Sequence, residues 1–231
     1  MVLILSILIS MFAVCAPGQG DSADLSDVLS RIDSKSARID SLKATFRQVK
    51  HSEILRRPLV SSGMVRVLKD RVRWDTTLPS PSVLCASGEG VRIFYPDLAV
   101  VEVYALGDRL SQLAGSPVFR LTEIRKHFAI EADPGLSAKG ILTLRLTPRT
   151  EDLRKHLKRI ILGVESESGI VRNVTIINAD AEKTEMFFDD VTVNPALVAS
   201  DLELDLPDGV RIVHPLGGDG SGDVAVEEAG S

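Results

Sequence analysis

The residues of this chain with chemistry to offer are four histidines, two cysteines and scattered carboxylates, and their spacing does not gather them. His51, His127, His156 and His214 stand apart in the sequence, so neither a metal-ligand pair nor a catalytic triad is legible. Cys15 and Cys85 have no metal-like spacing. No Gly-x-Ser-x-Gly elbow occurs, and Gly88-Glu89-Gly90 reads as a turn because no helix follows it to hold a phosphate. The expectation is therefore a protein with no catalytic residue, no metal and no cofactor. What remains is apolar chemistry. Leu42, Phe46, Val72, Trp74, Leu84, Phe94, Leu98 and Val118 are the candidates to line an apolar space, which would suit an acyl chain or another lipid. For Val72 and Trp74, which share a strand face, core packing explains the pattern as well as cavity lining does.

Such residues need a sheet to hold them. From Gly63 to Leu106 the chain is a series of short alternating runs: Met64–Lys69, Arg71–Thr76, Ser82–Ala86, Val91–Tyr95 and Leu98–Tyr104. Gly, Pro and Asp part them, which predicts an antiparallel meander, the connections being too short for helical crossovers. Leu42, Ala44 and Phe46 alternate with Lys43, Thr45 and Arg47 to give a strand before it. Further strands are expected at 127–131, 141–147, 159–165, 170–178 and 184–193, with Thr150–Lys158 either a helical turn or a long loop. Leu25, Val28, Leu29 and Ile32 fall at helical spacing, and Leu110, Leu113, Leu121 and Ile124 suggest short helical pieces. The fold class is thus α+β: a strongly curved antiparallel sheet of about ten or eleven strands, a half-barrel, with its concave face covered by the N-terminal helix and the inserted helices.

The ends are distinct in composition. Val2–Ala16 is almost wholly apolar, too short for a confident span and suited to a signal peptide over residues 1–20. Cleavage places the mature protein outside the cytoplasm; Cys15 as a lipidation site is the alternative. The domain would run over 21–215, and the Gly-rich stretch 216–231 reads as a disordered tail. Net charge is −5 with both signs interspersed, which gives no footprint for nucleic acid.

In order and spacing these features resemble the outer-membrane lipoprotein carrier family (LolA), which are periplasmic chaperones. The likeness rests on an N-terminal helix leading into Leu42-x-Ala-Thr-Phe-x-Gln48, then Gly63 opening a strand that ends in Arg73-Trp74, then Pro79. It continues in the Ser87-Gly88 turn, Ile93-Phe94-Tyr95-Pro96-Asp97 and the closing Asp205-Leu-Pro-Asp-Gly-Val210. The resemblance implies a carrier that holds the acyl chains of lipoproteins, or another lipid, takes its cargo from an inner-membrane transporter and passes it to an outer-membrane receptor; a monomer is expected. Where the family commonly has a lid arginine, this chain has Leu68-Lys69-Asp70, so Lys69 is the nearest equivalent and lacks the planar guanidinium fork. An envelope lipid-sensing or protein-binding module of the same fold is the second reading.

Overall fold

The alternation read from the sequence becomes one continuous sheet. The computed structural model describes residues 21–104, 121–133, 140–215 and 226–228. Helix α1 (Asp21–Ser36) is followed by β1 (Ser41–His51), β2 (Leu59–Leu68), β3 (Arg71–Leu78), β4 (Ser82–Ser87), β5 (Gly90–Tyr95) and β6 (Val100–Tyr104). A four-residue helix, α2 (Leu121–Ile124), precedes β7 (Phe128–Ala132) and β8 (Ile141–Pro148). The charged stretch after Thr150 folds as α3 (Glu151–His156), because the Thr150 hydroxyl accepts from the Leu153 N–H and caps it. Strands β9 (Leu157–Glu165), β10 (Val171–Asn178), β11 (Lys183–Val193), β12 (Arg211–Val213) and β13 (Val226–Glu228) complete the chain.

The strand order is β13-β12-β6-β5-β4-β3-β2-β1-β11-β10-β9-β8-β7, an open sheet with free ends at β13 and β7. All neighbours are antiparallel except β12 and β6, which run parallel. Thirteen strands stand where about ten or eleven were expected. The additional β12 and β13 have three residues each, too few to display an alternation. The expected signal segment 1–20 lies outside the described residues, as does most of 216–231; within the latter stretch, Val226–Glu228 pairs with β12.

Register assigns the two faces. Leu42, Ala44 and Phe46 of β1 oppose Val67, Val65 and Gly63 of β2, and Val67 and Val65 oppose Val72 and Trp74 of β3. This inner face continues through Phe188 and Met186 of β11 to Val174, Leu162 and Leu144. Leu29 and Ile32 of α1 and Leu121 and Ile124 of α2 bury themselves against it, forming one core cluster. Asp33 Oδ1 accepts from the Leu121 N–H at 2.6 Å and joins the two helices. Lys35 Nζ donates to the Ser166 carbonyl at 2.8 Å, fixing the C-terminal end of α1 to the β9–β10 turn. Asn194, in the left-handed region at φ 51, accepts from the Asp40 and Ser41 N–H groups and donates to the Arg38 carbonyl. These bonds lock the turn between α1 and β1 to the end of β11.

Candidate ligand-binding face

Five of the eight candidate lining residues meet on the inner face. Leu42 is fully buried, Phe46 is 5% exposed, Val72 and Trp74 are 7% exposed, and Leu84 packs against the same cluster. The period of two along β1 and β3 puts them there, and the in-register pairing of β1, β2 and β3 aligns them. At the centre is an aromatic group that local sequence reading missed in part. The Phe46 and Trp74 rings sit edge to face with centroids 4.6 Å apart, and Phe188 lies tilted 5.8 Å from Trp74. The signal for Phe188 is the alternation Met186, Phe188 in β11, but only the β1–β11 pairing places it opposite Phe46.

Trp74 carries the one polar atom of this aromatic group. Its Nε1–H is buried and meets no acceptor among the described residues. A buried donor left unpaired costs about 1–3 kcal/mol.

Three other candidates lie elsewhere. Phe94 faces the opposite side of the sheet: it pairs with Val83 and Val101 and belongs to a second cluster with Val101 and Val210. Its neighbour Ile93 takes the inner face, opposite Leu84. Both residues are apolar, so the sequence alone does not say which points inward, and a one-residue choice flips the assignment. Leu98 is 69% exposed, because Pro96–Leu98 form a single 3-10 turn at the β5–β6 connection and not the start of a strand. Val118 lies outside the described residues. Lys69 occupies the β2–β3 tip in the left-handed region at φ 54, with its side chain exposed and its N–H donating to the Asp40 carbonyl at 2.8 Å.

Toward β6 the inner face becomes polar. Glu102 accepts from the Tyr104 hydroxyl at 2.8 Å and from the Tyr95 hydroxyl at 3.2 Å. Burial, then the hydrogen bond to Glu102, then its negative charge push the Tyr104 phenol up to about 12; Tyr95 is raised by burial and by Glu102 as well. On the outer side, a cavity of about 440 Å³ lies between β3–β6 and the Leu202–Leu204 segment, with Arg71, Cys85 and Arg92 in its wall. Burial raises the Cys85 thiol, which makes it a poor nucleophile. Among the described residues no three His, Cys, Asp or Glu side chains converge to hold a metal ion, and no helix is long and apolar enough to cross a membrane.

Comparison with known proteins agrees with this layout. The family model described as outer membrane lipoprotein carrier protein LolA matches residues 37–203. An outer-membrane lipoprotein carrier protein of Pseudomonas paraeruginosa is 28% identical over 216 residues, covering 90% of this chain and 99% of the relative. A protein of the same description from Dechloromonas aromatica is 26% identical over 174 residues, 75% of this chain and 81% of its own. The crystal structure of an uncharacterized conserved protein from Thermus thermophilus superposes with a TM-score of 0.51 at 8% identity, over 83% of this chain and 99% of that one.

Proposed function

The chain belongs to the LolA family of outer membrane lipoprotein carrier proteins, and from this we propose that it is an exported, periplasmic carrier that shields the acyl chains of lipoproteins against its inner face. In this reading it acts without covalent chemistry, receiving its load at the inner membrane and delivering it to the outer one. Its partners are a transporter on one side and a receptor on the other. The observation that carries the reading is the apolar inner face centred on Phe46, Trp74 and Phe188, with a buried indole N–H facing no acceptor among the described residues. Acyl chains suit the rings, and their ester or amide carbonyls suit the N–H.

Loading requires α1 and α2 to yield. Besides apolar packing, the ties of α1 among the described residues include the Asp33–Leu121 bond, the Lys35–Ser166 bond and a long 3.4 Å contact from Arg125 to Ser26. A lid held largely by an apolar stripe opens at modest cost, and that stripe restores the closed state once the cargo leaves.

Trp74 is the only tryptophan, so its emission reports on the site directly. Titration of a triacylated lipopeptide into the purified chain should shift that emission. In Trp74→Phe, affinity should fall by up to about tenfold, the worth of one hydrogen bond, with stability little changed. No binding of any lipid or lipopeptide, by fluorescence or by native mass spectrometry of envelope extracts, would sink the carrier reading.

A further inference from the structure

The two rims of the sheet differ in what their hairpin tips present. Of the large apolar residues exposed among the described ones, Ile54, Leu55, Leu59, Val60, Leu78 and Leu98 all lie on one rim. They lie in or directly beside the β1–β2, β3–β4 and β5–β6 tips, which share a rim because these strands are consecutive neighbours in an antiparallel meander. Ile54 is 90% exposed, Leu98 69% and Leu78 60%. Of the other three exposed ones, Phe187 lies within β11, Val193 ends β11 on the opposite rim and Val198 is in the segment after it; none is at a hairpin tip. The opposite rim carries Lys69-Asp70, Ser87-Gly88-Glu89 and Ser166-Glu167-Ser168 at its tips, with no large aliphatic side chain among them.

We propose that the Ile54 rim is a docking edge for the surface of an anionic lipid bilayer. Tips two strands apart stand about 10 Å from each other, so the three form a row of about 20 Å, long enough to rest on a membrane as a line of points. The apolar residues are spread over three separate tips, which fits insertion between headgroups better than a protein counterpart. Each tip also holds proline: Pro58, Pro79 with Pro81, and Pro96. Proline has no N–H, so fewer backbone donors need to leave water as a tip sinks into the interface. Arg56 and Arg57 follow Ile54 and Leu55 directly, are exposed, and make no ion pair among the described residues. In a chain of net charge −5, these two guanidinium groups give the most exposed apolar tip a local attraction for anionic headgroups.

The experiment uses the full chain with Cys15→Ser and Cys85→Ser, and the dye NBD on one introduced cysteine: Ile54→Cys, Leu98→Cys or Glu167→Cys. The probe membrane is a protein-free vesicle of phosphatidylethanolamine with a minority of phosphatidylglycerol. The expected result is a blue shift, and quenching by spin-labelled lipid, at positions 54 and 98, with position 167 remaining aqueous. Arg56→Glu with Arg57→Glu should weaken vesicle binding by roughly tenfold, and Ile54→Glu by a similar factor. Positions 54 and 98 staying aqueous would overturn the proposal. So would an equal shift at all three positions, which would mark anchoring by the apolar N-terminal segment. A shift seen only with envelope membranes that retain their proteins would overturn it in favour of a protein partner.

Discussion

Most of this sheet buries its side chains on the inner face, whereas β4–β6 buries them on both. In β1–β3 and β7–β11 most of the buried apolar residues point inward, and Leu42, Phe128 and Leu144 are fully buried beneath α1 and α2. In β4–β6 the well-packed aromatic is Phe94, which points outward against Val101, Val210, Leu204 and Leu206, while the inner side bears Tyr95, Glu102 and Tyr104. Val91 and Val100 are buried too, so β5 and β6 are enclosed on both sides. A strand's buried face is thus decided by what packs on it. Here the segment from Leu202 to Val210 returns over the outer side and claims residues that the pattern alone would send inward.

The largest expected effects test this division. Phe128→Ala, in the helix-covered core, should cost about 3–5 kcal/mol in urea unfolding at constant m-value. Phe94→Ala should fall at the lower end, about 3 kcal/mol, because its cluster is small and can relax. More telling, Phe94→Ala should leave lipopeptide affinity intact. Loss of binding in that variant, with the fold retained, would put Phe94 back among the lining residues and break the comparison.

Gly63 tests the inward-facing part of the sheet. It faces Phe46 across β1–β2, and a Cβ built on it would lie 1.9 Å from the Asp75 carbonyl oxygen. Backbone has to move to admit even one methyl group. Gly63→Ala should therefore destabilise by about 1–3 kcal/mol, toward the upper value, and broaden the Trp74 emission as the β2–β3 pairing loosens. A neutral Gly63→Ala would mean that this contact is absorbed locally.

Much of this architecture is legible in the sequence. Strands β1–β11 follow from alternation and from turns such as Lys69-Asp70, and the helix stripe of α1 follows from Leu25, Val28, Leu29 and Ile32. The inward assignment of Leu42, Phe46, Val72 and Trp74 is legible because polar residues intervene between them. Phe94 is not, because Ile93-Phe94 offers two apolar neighbours and only the β4–β5 register chooses. Leu98 reads as strand by composition, but Pro96 and the left-handed Ala99 end a turn there. The parallel β12–β6 pairing joins residues more than a hundred positions apart, and no local pattern announces it.

The polar end of the inner face should reveal itself in alkali. The chain has two tyrosines, and both donate to Glu102. Folding favours their neutral form, with Tyr104 raised to about 12 from an ordinary 10.0 and Tyr95 raised also. The stability that this confers is complete below pH 10.0 and is lost as pH rises toward about 12. Phenolate absorbance should accordingly lag that of the unfolded chain. Glu102→Gln should bring both tyrosines nearer their ordinary value, the larger part of the remaining shift being burial. Tyrosines that ionise normally in the folded wild type would remove the polar end from the contrast.

The smallest effect comes from the residue that belongs to neither packed face. Leu98 sits on a 3-10 turn with 69% of its surface in water, so its removal leaves no cavity and exposes no new apolar area. Leu98→Ala should stay within about 0.5 kcal/mol of the parent, whereas Leu84→Ala, two strands away on the inner side, removes a side chain that packs against the core. Equal losses in the two variants would show that the β5–β6 turn is supported by contacts beyond the described residues. A difference of about 1–2 kcal/mol, read from paired denaturation curves, would instead confirm that an aliphatic side chain at this rim contributes nothing to folding. A side chain that folding does not need is free to meet something outside the molecule.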